Sequence, residues 1–380
     1  METVKGFKDY TGKEAEKFSL IREVIRRTFE KYNFQEVQTP LIEYEKFVKG
    51  DNTNDEVVSD IFKLQDKGKR KLALRYEFTF QLKRIAKNKK LPFKRFQIGP
   101  VFRDEPVNSN RFRQFTQCDI DTIGSTIEDQ AEILTATKEI LNSLKINSVI
   151  YVNNRELLNQ ILIENNIKNK EEVIREIDKL DKLSIKEVKT NLKKYKAEKI
   201  VDLLNQPEKY FKRYPAYKEI EELKKFCKYY GTNVIFQSSL ARGLGYYTGN
   251  VWEIKSDIKE TICGGGTYKV NNNIATGISL SLDRLMIVSN ILINTEKILI
   301  VSLGQDAKAI QLSKQLRQQE KNVSLFFGKP SKALQYANAY NIKKVLFVGK
   351  KEVEQKKYKI KDMQTGKEKI LTITKTKKSI

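Results

Sequence analysis

Apolar residues recur at helical spacing between Lys13 and Lys31, where Phe18, Ile21, Ile25 and Phe29 fall near one face with charges between them. That pattern predicts an amphipathic helix. FQEVQTPLIE follows as an extended run interrupted by Pro40, and RKLALRYEFTFQLKRIA reads as a short strand, a turn and a helix. FKRFQIGPVFRDEPVNSNRFRQFTQCDID, Phe93 to Asp121, reads as two strands joined by the loop DEPVNSN. IEDQAEILTATKEILNSL predicts a helix and INSVIYVNN a strand.

From about residue 155 to 231 the texture changes to lysine-rich helical patterns such as EEVIREIDKLDKLSIKEVKTNL, which predicts an inserted helical subdomain. NVIFQSSLARGLGYYTGNVWEI returns to strands, CGGGTYKV is a glycine-rich turn and strand, and IATGISLSLDRLMIVSNIL is a strand entering a helix. From Glu296 to Ile380 the apolar strands KILIVSL, VSLFF and KVLFVG alternate with helical stretches, the signature of a small α/β domain with a largely parallel sheet. The expected division is therefore residues 1–295, carrying the insertion, and residues 296–380.

The 380 residues include 72 Lys and Arg against 48 Asp and Glu, a formal net charge of +24. An excess of that size suits a polyanionic partner such as nucleic acid, although solvated lysines of a biased proteome give the same count. Cys118, Cys227 and Cys263 are dispersed and odd in number, which argues against a disulfide framework and for a reducing, cytoplasmic compartment. No long apolar run is present, so no membrane partner is expected. The chain has no histidine, which excludes a Ser-His-Asp hydrolase and leaves no metal site built from histidine or cysteine.

Arg95, Arg103, Arg111 and Arg113 crowd the first part of the Phe93 to Asp121 segment, and Gln117, Asp119 and Asp121 alternate at its end. Guanidinium forks suit phosphate oxygens, and carboxylates suit an ammonium group or another donor. Taken alone, hairpin arginines are more often surface charge than a phosphate clamp. Asp119 and Asp121 share a strand face, so one or both should point inward, where an unpaired carboxylate is costly. ARGLGYYTG sets Arg242, Tyr246 and Tyr247 among glycines that permit close approach to a ligand or a tight bend. SLSLDRL puts Arg284 at a helix start, where positive charge is unfavourable unless an anion is near.

These motifs, in this order, resemble the histidyl-tRNA synthetases of the class II aminoacyl-tRNA synthetases, in the archaeal or eukaryotic style. VKGFKDYTGKEAEKF with FQEVQTPLIE is similar to the first class motif, FRDEPVNSNRFRQFTQCDID to the second and GISLSLDRL to the third. LRYEFT and ARGLGYYTG are similar to elements that mark this synthetase within its class. The resemblance implies an α+β catalytic domain on an antiparallel β-sheet flanked by helices, with a helical insertion and a C-terminal α/β anticodon-binding domain. It further implies a homodimer that uses ATP and Mg²⁺ to join L-histidine to tRNA(His).

By the same resemblance, Glu77, Thr79 and Gln117 would hold the α-amino end of histidine, while Asp121 and Tyr247 would read its ring beside Tyr246, with Tyr268 closing the pocket. Arg103 and Arg284 would bind ATP phosphates, Arg111 the α-phosphate region or the substrate carboxylate, and Phe115 the adenine. Arg242 would act at the reacting α-phosphate. Gly245, Thr267, Lys269, Ser281 and Thr116 depart from the family pattern beside these positions, and the C-terminus ends without the usual final helical turn. Two other readings share the fold: a silent paralogue serving as a regulatory subunit, and a sensor of uncharged tRNA.

Overall fold

The computed structural model describes residues 2–49, 60–108, 110–242, 246–258, 260–292 and 296–371. They divide into two units, Met1–Ile291 and Leu292–Ile380, each with cores of its own. Gly243 and Gly245, and the segment from 372 onward that bears on the final helical turn, lie outside the described residues.

The first unit opens with helix α1 (Gly12–Lys31), whose Ile21, Ile25 and Phe29 are fully buried. Strand β1 (Gln35–Glu36) follows, and then β2 (Ile42–Tyr44), β3 (Lys63–Gln65) and β4 (Lys71–Leu74) form a small sheet in the order β2-β4-β3. Pro40 falls in the gap between β1 and β2, as its missing N–H requires. Helices α2 (Glu45–Lys49) and α3 (Thr79–Ile85) follow β2 and β4 in the chain.

The main sheet is completed by β5 (Phe93–Phe102), β6 (Gln114–Ile123), β7 (Val149–Asn154), β8 (Val234–Phe236), β9 (Tyr247–Lys255), β10 (Cys263–Val270) and β11 (Asn273–Ser281). Its order is β1-β5-β6-β11-β10-β9-β7-β8. The six central strands are antiparallel, and the pairs β1 with β5 and β7 with β8 are parallel. Alternation gives this sheet two unlike faces. Phe96, Ile98, Cys118, Ile120, Trp252, Ile254, Ile278 and Leu280 point to one side, into the core formed with α1, α4 (Ile127–Ser143) and later helices. Arg95, Gln97, Gln117, Asp119 and Asp121, offset by one residue along the same strands, occupy the other.

Between β7 and β8 lie α5 (Arg155–Glu164), α6 (Lys170–Asp178), α7 (Ile185–Leu192), α8 (Ile200–Leu204), α9 (Glu208–Phe211) and α10 (Tyr217–Tyr229). Asn154 caps α5, its side chain accepting from the N–H groups of Glu156 and Leu157 at 2.8 and 3.3 Å. The apolar faces of these helices, through Val173, Ile177, Val188 and Phe211, extend the core beneath the sheet. Helix α11 (Leu282–Val288) follows β11 and packs on α1, where Lys17 donates to the carbonyls of Met286 and Ser289, each at 2.7 Å.

The second unit contains β12 (Lys297–Ser302), α12 (Asp306–Gln318), β13 (Asn322–Phe327), α13 (Pro330–Ala339), β14 (Lys344–Val348), α14 (Lys350–Gln355), β15 (Tyr358–Asp362) and β16 (Glu368–Leu371). Strands β13, β12 and β14 are parallel, and α12 and α13 cover opposite faces through Leu312 and Leu316 and through Ala333 and Ala337. The hairpin β15–β16 extends the sheet antiparallel and has no counterpart in the sequence reading. Lysines alternate with the apolar residues Tyr358, Ile360 and Ile370, and of these three only Tyr358 is well buried, so little of the apolar signal marks a core. Among the described residues no helix is long and apolar enough to cross a membrane.

Cys118, Cys227 and Cys263 are all buried, and burial raises each thiol, that of Cys227 to about 12. Thiolate is the reactive form, so none should react in the native protein. A thiol-titrating disulfide reagent should count none without denaturant and three in it; rapid reaction of one native thiol would show that its part of the core opens.

Candidate active site

The polar face of the main sheet is densest on β5 and β6. Asp121 stands opposite Arg95 across the strands, and the two form an ion pair at 2.7 Å in which the Arg95 side chain has no exposed surface. The second oxygen of Asp121 accepts from the hydroxyl of Tyr268 on β10. Two residues along β6, Asp119 accepts from the Gln117 amide at 2.8 Å, and the Gln117 carbonyl oxygen faces Arg103 Nη2 at 3.4 Å. Glu77, in the turn before α3, completes the acidic group with Thr79 as its side-chain partner. Glu77 Oε1 and Asp119 Oδ1 are buried without a hydrogen-bond partner in the protein.

Strand β11 runs beside β6, and the cross-strand partner of Asp121 on it is Gly277. A β-carbon there would lie 2.0 Å from Asp121 Oδ1, so only glycine lets the carboxylate occupy this position. Tyr246 and Tyr268 line the adjoining cavity and Tyr247 packs against them, with ring centroids 4.7 Å apart for Tyr246 and Tyr247 and 5.7 Å for Tyr246 and Tyr268. Thr79, Phe80, Lys83, Lys269 and Val270 line its mouth. Burial raises all three phenols, which keeps them neutral donors and acceptors.

Guanidinium groups gather at the other end of this face. Arg103 lies over the rings of Tyr76 and Phe115, 4.3 and 5.1 Å from their centroids. Arg284, in the first turn of α11, donates to the Thr261 carbonyl at 2.6 Å, and burial, then Arg111, then Arg103 lower its affinity for a proton. Three cations that repel one another, offset in part by Glu105 beside Arg111 at 3.3 Å and by Glu260, form a site suited to a polyanion. Arg113 lies apart from them, held by Asp104 at 3.2 Å and by the Glu105 carbonyl.

Arg242 sits toward the far edge, its guanidinium flat against Gly264 and hydrogen-bonded to Glu253 at 2.5 Å. The loop before it is tied to β7 by Asn153, which donates to the carbonyls of Ser238 and Leu240, each at 2.8 Å. The Tyr247 hydroxyl faces the same guanidinium, as does the Asp178 carboxyl, which burial pushes up to about 6.

Of the sequence-predicted residues, Thr79, Tyr246 and Tyr268 line one cavity, Tyr247 packs on both tyrosines, Asp121 is bonded to Tyr268, and Glu77 and Gln117 belong to the same buried polar group; Arg103, Arg111 and Arg284 lie near one another, with Phe115 under Arg103. Sequence reasoning left Arg95 with the phosphate-directed arginines, but its place in mid-strand opposite Asp121 makes it the counter-charge of the acidic end. Glu253, Asn153 and Arg75 carried no signal. Arg75 is buried and donates to the carbonyls of Pro100 and Thr39, each at 2.8 Å, tying the turn before Glu77 to β5. Of the departing residues, Ser281 accepts from the Arg284 N–H at 3.4 Å, Thr116 N–H donates to Asp283 at 2.6 Å, and buried Thr267 faces Thr276 at 3.2 Å.

Residues 6–285 match a family model described as histidyl-tRNA synthetase, and residues 297–380 match one described as anticodon binding domain. A relative named histidine–tRNA ligase 1, from Bacillus cereus, is 34% identical over 97% of this chain and 94% of its own length. The histidine–tRNA ligase of Methanococcus aeolicus is 30% identical over 97% of each. Among solved structures, the histidyl-tRNA synthetase from Nostoc sp. PCC 7120 superposes with a TM-score of 0.83 at 26% identity, over 98% of this chain and 96% of that one.

Burial pushes the Glu77 carboxyl up to about 7, well above its value in an unfolded chain. Burial also raises Asp119 and Asp121, with Arg95 opposing the shift in both. A carboxyl raised in the folded state binds a proton that the unfolded chain has released. The stability this confers is complete below the unfolded value and is lost as pH rises through the folded one. The melting temperature of the ligand-free protein should therefore fall between about pH 5 and about pH 8, and Glu77→Gln, which stays neutral, should make the decline shallower. Parallel profiles for the two proteins would mean that Glu77 titrates as an ordinary surface carboxyl.

Proposed function

The chain belongs to the histidyl-tRNA synthetase family, and from that premise we propose that it activates L-histidine with ATP and transfers the histidyl group to the 3′ end of tRNA(His). The observation that carries this reading is the division of one sheet face into an acidic, tyrosine-lined end and a guanidinium end. Histidyl-adenylate has matching halves, an ammonium and a ring with N–H donors on one side and a phosphate on the other.

In the reading proposed here, the α-ammonium group pairs with Glu77, Thr79 and Gln117, and Asp121, Tyr247, Tyr246 and Tyr268 enclose the imidazole. Arg103 and Arg284 bind the ATP phosphates, Arg111 the α-phosphate region or the substrate carboxylate, and the Phe115 ring stacks on adenine. A histidine carboxylate oxygen attacks the α-phosphorus, a new P–O bond forms in line, and pyrophosphate leaves. The attacking group is already ionised, so no general base is required, and a chain without histidine loses nothing. The need is to stabilise charge on the phosphate oxygens as it develops, which Arg242 supplies as a preorganised donor. Arg242 Nε, buried without a partner in the protein, is free to take part. In the second step a terminal ribose hydroxyl attacks the carbonyl carbon, AMP leaves, and a phosphate oxygen accepts the proton.

Mg²⁺ enters as the ATP complex. Among the described residues no group of three or more acidic or cysteine side chains could hold a metal ion, so phosphate oxygens would be its main ligands, as is usual for Mg²⁺. It would offset charge on the departing pyrophosphate. Residues 296–380 carry 20 Lys and Arg against 7 Asp and Glu, which suits the proposed contact with the tRNA backbone. Leu41, Ile42, Tyr44 and Leu64, 39 to 58% exposed, are an apolar face suited to a homodimer contact. A silent paralogue is not favoured, since Glu77, Gln117 and Arg242 are present together with the second unit.

Histidine-dependent exchange of pyrophosphate into ATP tests the first step. Wild type should be active, and Arg242→Ala should lose on the order of a hundredfold in rate with histidine binding little changed. Near-normal exchange in that variant would remove Arg242 from the reaction. Removal of residues 296–380 should cost aminoacylation far more than exchange; equal losses would mean that this unit supports the catalytic fold instead of tRNA binding.

A further inference from the structure

Arg242 and Arg284 are far apart in sequence, yet a single residue links their supports. Arg242 Nη1 donates to Glu253 Oε1 at 2.5 Å, and Glu253 Oε2 accepts from the Thr261 hydroxyl at 3.0 Å. The carbonyl of the same Thr261 accepts from Arg284 Nη1 at 2.6 Å. Glu253 is buried, so little water competes for its oxygens.

The backbone beneath is fitted to this arrangement. Gly264 is the cross-strand partner of Glu253, and a β-carbon on it would lie 2.5 Å from Arg242 Nη1 and 2.8 Å from Cζ. The guanidinium therefore lies flat on the sheet, between a glycine and the carboxylate that holds its edge. Two nearby groups bound the assembly. Lys255 Nζ is 4.0 Å from Glu253 and is occupied by both oxygens of Asp181 at 2.9 Å, and Asp178 faces Arg242 from the end of α6.

We propose that Glu253 and Thr261 are positioning residues that hold the guanidiniums of Arg242 and Arg284 at a fixed separation, set to the spacing of phosphate oxygens in the transition state for adenylate formation. The proposal rests on the role given above to Arg242. Neither residue touches the substrate; each acts through an arginine. The physical gain is preorganisation: a donor already aimed reorganises little as charge develops, and a misplacement of about 1 Å can cost on the order of a hundredfold.

The test is a double-mutant cycle on the full chain, read by histidine-dependent pyrophosphate exchange with kcat and KM resolved for ATP and histidine. Glu253→Ala should lower kcat by roughly a hundredfold while leaving both KM values within about threefold. Glu253→Gln, whose amide oxygen still accepts from Arg242, should recover most of the loss. Thr261→Val, which keeps the carbonyl on Arg284, should fall between them. In an Arg242→Ala background, Glu253→Ala should cost little more, because its effect passes through the missing guanidinium. Losses that multiply in the double variant, or a loss from Glu253→Ala that appears in KM for ATP instead of kcat, would overturn the brace while leaving Arg242 its role. Near-normal exchange in Arg242→Ala alone would overturn that role and the brace with it. If Glu253→Ala does not fold, Glu253→Gln and Thr261→Val decide the matter, and wild-type kcat in Thr261→Val would overturn the proposal.

Discussion

A guanidinium with no exposed surface in the middle of a β-sheet is costly unless an opposite charge meets it, and Arg95 sets that condition for the first unit. Its contact with Asp121 is one of charge, since none of the Arg95 nitrogens makes a well-directed hydrogen bond. The neighbouring geometry follows from it. Asp121 must remain within reach, so β11 sets a glycine beside it, Tyr268 holds the remaining oxygen, and Asp119 is left to Gln117. One buried cation thereby permits several carboxylates to share one buried face of the sheet.

The same strands keep that site rigid from behind. Phe96, Ile98, Cys118 and Ile120 alternate with the charged positions and are buried against helices, so an acidic side chain cannot shift along its strand without moving the core. Arg242 and Arg284 are instead supported by tethers to loops: Asn153 to the carbonyls before Arg242, and the Thr261 carbonyl to Arg284. Packing fixes the carboxylates, and hydrogen bonds fix the cations.

The sequence revealed most where local chemistry and fold coincide. The period-two alternation of Gln117, Asp119 and Asp121 announced a buried polar face, and the helical spacing of Ile21, Ile25 and Phe29 announced the layer behind it. What stayed hidden depends on contacts across strands. Arg95 reads as one more arginine in a basic stretch until its register with Asp121 is known. Glu253 sits in an ordinary strand sequence and acquires its meaning only from the return of the chain at Gly264. Arg75, fully enclosed and bound to two carbonyls, runs against the expectation that arginine seeks the surface. The β15–β16 hairpin escaped because its strands are short and their apolar residues, apart from Tyr358, are not marked by burial in a core.

Gly277 bears on how such a site can change over time. Every alternative residue adds the β-carbon that would collide with Asp121, so this position has no neutral single substitution through which to drift. Relieving that collision would require a shorter side chain at position 121, and that change strands Arg95 as an uncompensated buried charge. The three positions are therefore locked together, and this part of the sheet can change only by concerted replacement, because no single substitution offers a passable first step.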